Sequence, residues 1–151
     1  MVRVVRLLVA ACSLVTALVL ASSAAPSPAT ALRLDGVPFR PELALTPAQQ
    51  QRGLMLRKRA PADGMLFVFP EDTAGGFWMK NTLVPLTIVF FDRAGKRVRK
   101  LSMTPCRKDP CKIYNPGRRY RFALELRASD IRRAAKLGPP SELSRLIALA
   151  R

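Results

Sequence analysis

The sequence predicts a mainly β domain, α+β at most: a compact, barrel-like antiparallel β fold with one short N-terminal helix and peripheral helices at the C-terminus. Three observations predict it. Short apolar or alternating segments recur at roughly 8–12-residue intervals, the spacing of consecutive strands joined by turns. Turn chemistry separates them, as in Asp92-Arg93-Ala94-Gly95 and Asn115-Pro116-Gly117. Helical spacing is confined to brief stretches. At 151 residues and 49% apolar content, the chain suits one domain with its own core rather than global disorder.

The elements follow in order. Residues 29–36 read as an irregular lead-in. Leu43 and Leu45 alternate with Glu42 and Ala44, which suits a half-buried strand. Thr46-Pro47-Ala48-Gln49 is a helix start, with Thr46 as N-cap, Pro47 at the first helical position and Gln49 closing a capping box. Gly53 interrupts this helix early. Residues 64–69 (GMLFVF) are apolar on both faces and predict a fully buried strand, with a loop over 70–76. Residues 77–81 and 86–91 (LTIVFF) predict two further strands, and 96–103 a basic edge strand whose charges discourage edge-to-edge pairing. Residues 120–126 form another. Ser129 is placed to cap a helix over 130–137 that stops at Gly138 before Pro139-Pro140, and Leu143, Leu146, Ile147 and Ala150 sit at helical spacing in a last one.

Residues 1–31 read as a cleaved signal peptide. Arg3 and Arg6 make a positive start, residues 7–20 carry no charge, and Ala29-Thr30-Ala31 offers an A-x-A cleavage site. Fourteen apolar residues fall short of the roughly 20 that a spanning helix needs, so no stable membrane span is expected after cleavage. The expected location is therefore outside the cytoplasm, in the periplasm, the cell envelope or the medium, with 32–151 as the single mature domain.

Composition then limits the chemistry. The chain has no histidine, which removes Ser-His, Cys-His and imidazole–metal mechanisms together. No motif calls for a cofactor or a metal. Lys and Arg number 26 against 10 Asp and Glu, and the leader holds only two of these cations and none of the acids. Such an excess favours anionic partners, which for an exported protein means envelope polymers. The clusters at 57–59, 96–100 and 118–121 lack aromatic interleaving or a groove-reading helix, so a solvated surface is the simpler account, and no specific nucleic acid is expected. Cys106 and Cys111 enclose the charged loop CRKDPC. A local disulfide is the default in an oxidising compartment. Four intervening residues are unlike redox-active pairs, and two thiolates without a histidine make a poor zinc site.

Several motifs then carry a resemblance. Arg52-Gly53-Leu54-Met55, Gly64 to Phe69, the hexapeptide Phe77-Trp78-Met79-Lys80-Asn81-Thr82, Pro85-Leu86, Pro105-Cys106 with Cys111 and Tyr114, and Leu124-Glu125-Leu126 occur in the order of the domain of unknown function 192 family, over about residues 37–138. The resemblance implies a small β-rich, barrel-like domain, commonly exported, with no assigned activity. Two departures stand out. Thr87 follows Pro85-Leu86 where the family usually has an aspartate, and residues 127–140 replace a glycine-bearing segment.

The hexapeptide invites a functional account. As a strand it would send Phe77, Met79 and Asn81 one way and Trp78, Lys80 and Thr82 the other. A pocket could then combine Arg52 and Lys80 as cations, Asn81 and Thr82 as hydrogen-bonding groups, Trp78 as an apolar wall and Glu125 nearby, for an anionic or carbohydrate ligand of the envelope. The architectural alternative pairs Lys80 with Glu125 and leaves Asn81 or Thr82 to satisfy the backbone. A non-catalytic binding module leads. An envelope enzyme would need carboxylate or lysine acid–base chemistry, with Glu125 and Asp63 or Asp92 as the available acids. Cu(I) binding would need thioethers from Met55, Met65, Met79 and Met103, which in apolar runs more often fill core.

Overall fold

The computed structural model describes residues 32–151, so the predicted signal peptide lies outside the described residues. The fold is mainly β, with ten strands and two short helices among the described residues. Five strands make the central sheet: β3 (Glu42–Ala44), β4 (Met65–Thr73), β6 (Leu86–Phe91), β7 (Arg97–Met103) and β9 (Tyr120–Arg127), in the order β3-β4-β9-β6-β7. All pairs are antiparallel except β3 with β4. The sheet is open, with β3 and β7 at its edges, and does not close into a barrel.

The central strands are buried on both faces, which is why they read as unbroken apolar runs. Their alternation sorts two cores. Leu66, Val68, Phe91, Phe122, Leu124 and Leu126 face one side, beneath helix α2 (Pro140–Leu149) and a small sheet of β1 (Arg33–Leu34), β2 (Val37–Pro38) and β10 (Leu137–Gly138). Met65, Phe67, Ile88, Phe90, Tyr120 and Ala123 face the other. That side is covered by helix α1 (Pro47–Arg52) with its following loop and by a two-stranded ribbon of β5 (Phe77–Trp78) and β8 (Ile113–Tyr114). Edge-to-face rings tie the ribbon down: Phe77 lies 4.9 Å from Phe67 and 5.8 Å from Phe90, and Phe90 lies 4.8 Å from Tyr120. Such pairs add about 0.5–1.5 kcal/mol each beyond their burial.

Helix α1 starts as its sequence dictates. The Thr46 hydroxyl accepts from the Gln49 backbone N–H at 3.3 Å, and the Gln49 side chain accepts from the Thr46 N–H at 3.0 Å. Gln50 then donates to the Val68 carbonyl at 2.8 Å and fixes the helix to β4. Thr46→Ala is expected to cost about 1 kcal/mol, read as a lowered urea midpoint at unchanged slope; no change would mean that the helix is held by packing alone.

Four expectations need correction. The lead-in is not irregular, because Arg33–Leu34 and Val37–Pro38 form a hairpin around a turn in which Asp35 and Gly36 both have positive φ. Strand β4 runs on to Thr73, through part of the expected 70–76 loop, because β9 continues to pair with it beyond a bulge. The hexapeptide is a strand only at Phe77–Trp78. No helix forms over 130–137. Arg132 instead bonds Asp130 and Asp63 and stacks 5.1 Å from the Phe39 ring, and the segment runs on without regular structure, through Ala134 at φ 50°, until Leu137–Gly138 pairs with β1. Ser129 therefore caps nothing, and α2 begins at Pro140 without a side-chain cap.

Many of the basic residues have local duties. Arg121 is buried and donates to the Asp72 carboxylate at 2.7 Å and to the Pro70 carbonyl. Arg97 and Lys100 on the edge strand donate to the carbonyls of Arg133 and Arg132. Arg57 pairs with Glu42 on the surface, a contact that contributes at most about 1 kcal/mol.

Candidate functional site

Glu125 sits in the middle of β9, opposite Met65 on β4 and Ile88 on β6. Its neighbours Leu124 and Leu126 point into the first core, so the pleat turns Glu125 to the other face, among Phe67, Phe90 and Met79. It is 5% exposed. No side chain or backbone group among the described residues hydrogen-bonds its carboxyl, yet no fully enclosed side-chain oxygen lacks a partner, so its oxygens open onto space rather than being sealed in. Burial pushes the carboxyl up to about 8, and no cation enters as a cause. At neutral pH Glu125 is therefore mostly the protonated acid and can donate a hydrogen bond.

The space is a cavity of about 30 Å³, whose lining includes Arg52, Phe67, Phe77, Trp78, Thr82 and Glu125. That volume holds a water or one functional group of a ligand. Each wall has a local cause. Arg52 is the last residue of α1, and the chain turns away at Gly53, whose φ is +45° and where a Cβ would press on the Phe67 ring at 3.2 Å. The loop after the helix is pinned to the hexapeptide by the Leu56 N–H donating to the Asn81 carbonyl at 2.8 Å. Asn81 takes φ 57°, a left-handed conformation that asparagine tolerates. This residue breaks the strand alternation. Thr82 turns inward to 7% exposure, with a hydroxyl free of protein partners among the described residues, while Asn81 is exposed. Trp78 is 44% exposed at the mouth, and the exposed Arg52 guanidinium makes no ion pair or hydrogen bond among the described residues. A groove of about 430 Å³ shares Arg52, Gly53 and Met55 with the cavity and runs on past Leu43, Leu56 and Met65.

Four of the six predicted site residues thus converge: Arg52, Trp78, Thr82 and Glu125. Lys80 and Asn81 do not. They line a separate pocket beside the cysteine loop, where the Lys80 ammonium lies 2.9 Å from Asp109 and 5.8 Å from the Trp78 ring. The expected pairing of Lys80 with Glu125 is absent, because Lys80 is drawn outward by its bridge to Cys106. The Cys106–Cys111 disulfide is formed. These two sulfurs and Asp109 are the one group among the described residues close enough to suggest a metal, and the sulfurs are joined to each other. Met65, Met79 and Met103 are buried in the second core, and of the four only Met55 and Met65 line the groove, so the four thioethers do not gather at one site. Asp63 and Asp92 stand elsewhere: Asp63 holds Arg132 and the Arg40 N–H, and Asp92 closes its own turn to Lys96. Phe67 and Phe77 carry no sequence signal that marks them as cavity walls, since they read as ordinary core.

Comparison with known proteins fits this geometry to a family. The family model for domain of unknown function 192, described as an uncharacterized ACR, matches residues 30–138. The chain belongs to the DUF192 family. Its fold is shared by the crystal structure of a Sinorhizobium meliloti protein described as a candidate transcription regulator, 31% identical, covering 66% of this chain and 81% of that one at a TM-score of 0.59. A Novosphingobium aromaticivorans protein of unknown function is 26% identical, covering 67% of this chain and 75% of that one at a TM-score of 0.58. No curated protein matches the chain. The matched span takes in every wall of the Glu125 cavity, so the DUF192 domain carries the whole candidate site. Among the described residues of this DUF192 chain, no helix is long and apolar enough to cross a membrane.

Proposed function

We propose that this DUF192 domain is a non-catalytic binding module for a small anionic carbohydrate, a sugar acid, held at the Glu125 cavity. The observation that carries the proposal is the Glu125 carboxyl, buried without a partner among the described residues yet opening onto a cavity. A ligand oxygen can accept from this protonated carboxyl in place of a water, with no partner among the described residues to displace. The Thr82 hydroxyl offers a second hydrogen bond, Arg52 an unpaired charge for a carboxylate, and Trp78 an exposed ring for the apolar face of a pyranose. The expected leader, which would send the domain out of the cytoplasm, supports a ligand of the envelope.

Trp78 is the single tryptophan, so its fluorescence reports the site directly. Titration with galacturonate or glucuronate at pH 7 is expected to give a saturable change that galactose does not. Arg52→Ala should weaken affinity at least about tenfold, the value of one charge-assisted bond. Equal responses to galacturonate and galactose, or an unaltered affinity in Arg52→Ala, would overturn the proposal.

The raised Glu125 carboxyl also favours a second use, as a general acid near neutral pH. Against it, no second carboxylate, lysine or tyrosine appears among the cavity's lining residues to act as the complementary base. Turnover of envelope glycans abolished in Glu125→Gln would support the enzyme. The transcription-regulator description of the Sinorhizobium protein finds no counterpart in the helices described here: α1 and α2 each carry one arginine, and Arg145 on α2 is engaged with Glu142.

A further inference from the structure

Away from the Glu125 cavity, the disulfide has surroundings of its own. Cys106 and Cys111 are both partly exposed, and they line a pocket of about 170 Å³ together with Lys80, Arg107, Lys108, Asp109 and Asn81. Three cations face one carboxylate there, and that carboxylate is already paired to Lys80 at 2.9 Å. Arg107 and Lys108 are exposed and make no side-chain hydrogen bond or ion pair among the described residues. Lys112 stands just beyond, its ammonium 5.0 Å from the Tyr114 ring. The S–S bond is thus presented in a small, open, electropositive pocket.

We propose that this pocket is a modification site at which small anionic thiols, carboxylate-bearing ones in particular, open the Cys106–Cys111 disulfide and remain as a mixed disulfide. The incoming thiolate attacks one sulfur of the pair. A new S–S bond forms to it as the Cys106–Cys111 bond breaks, and the bonding pair leaves on the other cysteine as a thiolate. The thiol is the sole reductant required. One thiolate enters and one is released, so charge and electrons balance. Arg107 and Lys108 favour the step twice, by concentrating an anionic thiol in the pocket and by stabilising the departing thiolate. The opened loop also loses the staple that holds Asp109 on Lys80 and Cys106 against the Met79 carbonyl.

The test compares three probes of similar size on the oxidised chain: mercaptoacetate, mercaptoethanol and cysteamine, which are anionic, neutral and cationic. Opening is followed by mass spectrometry of the mixed disulfide after alkylation. Each rate per thiolate is divided by the rate of the same thiol with the uncharged disulfide of mercaptoethanol, which removes intrinsic nucleophilicity. At low salt, mercaptoacetate is expected to exceed cysteamine by at least about tenfold, the lower range of electrostatic focusing. The preference should collapse in 1 M salt and in the double variant Arg107→Ser, Lys108→Ser. Mercaptoethanol gauges the departing-thiolate contribution alone, so its rate should fall less in the double variant than that of mercaptoacetate, and an unchanged urea midpoint of the oxidised double variant shows that its fold is intact. A normalised preference at or below one, or one that survives both salt and the double variant, would overturn the proposal.

Discussion

Replacing Glu125 by glutamine is expected to remove a pH dependence of stability that the wild type shows between about pH 4.5 and about pH 8. The sign follows from burial. The native carboxyl is raised to about 8 from an ordinary 4.5, so across this interval the unfolded chain has given up a proton that the native state retains. Native stability is then fullest below about 4.5, falls as pH rises through the window, and levels off past about 8. The slope approaches roughly 1.4 kcal/mol per pH unit, and the whole loss is on the order of 4–5 kcal/mol. Asp130, held below the usual carboxylate range by its bonds to Arg132, titrates under this window and in the opposite sense, so it does not mask the effect. Glutamine keeps the size of the side chain and cannot ionise. Urea midpoints at pH 5, 6.5 and 8 should fall steadily in the wild type and stay level in Glu125→Gln, which becomes the more stable protein at pH 8. Parallel curves would mean that the carboxyl is already ionised in the folded protein. The same titration bears on binding: above pH 8 a charged Glu125 would face an anionic ligand, and affinity should drop there.

Much of the fold was legible because it rests on short-range rules. The capping box at Thr46 and Gln49, the doubly buried runs of β4, β6 and β9, and the basic edge strand β7 all follow from residue type and spacing. The segment from 130 to 137 reads as a helix because Ser129 and Gly138 are sound helix punctuation locally. Long-range contacts override them: Arg132 reaches Asp63, and Asp35 accepts from the N–H groups of Ala135 and Lys136, a hundred residues away. The site divides in the same way. Arg52, Trp78, Thr82 and Glu125 were legible as polar or aromatic residues set among apolar ones. That Lys80 and Asn81 leave them was not, because it depends on one left-handed residue and on the loop that Cys106 brings alongside. Sequence alternation places Thr82 with Lys80; the turn at Asn81 sends the two to different pockets.

Gly64→Ala should be among the most damaging single substitutions in the chain. Gly64 precedes β4 with φ +70°, a conformation that costs an L-residue about 1–2 kcal/mol on its own. A methyl at this position would lie 2.0 Å from the Glu125 carbonyl oxygen and 3.0 Å from a Leu126 methyl. The first contact is with the backbone of a central strand, hydrogen-bonded on both sides, which cannot give way as a flexible side chain would. Relief requires either Gly64 or β9 to move. If Gly64 moves, its hydrogen bonds to Pro61 and Glu42 are strained, and with them the entry of β3 and β4. If β9 moves, the register that aims Glu125 into its cavity shifts. A loss of roughly 3 kcal/mol or more is expected from strain and overpacking together. The outcome separates two origins of a glycine at this point. Were the left-handed φ the whole reason, Gly64→Asn would be tolerated, since asparagine accepts such angles at modest cost. Because the close approach forbids any Cβ, Gly64→Asn should be as destabilised as Gly64→Ala in the same urea titration, and a stable Gly64→Asn protein would show that the two strands can part.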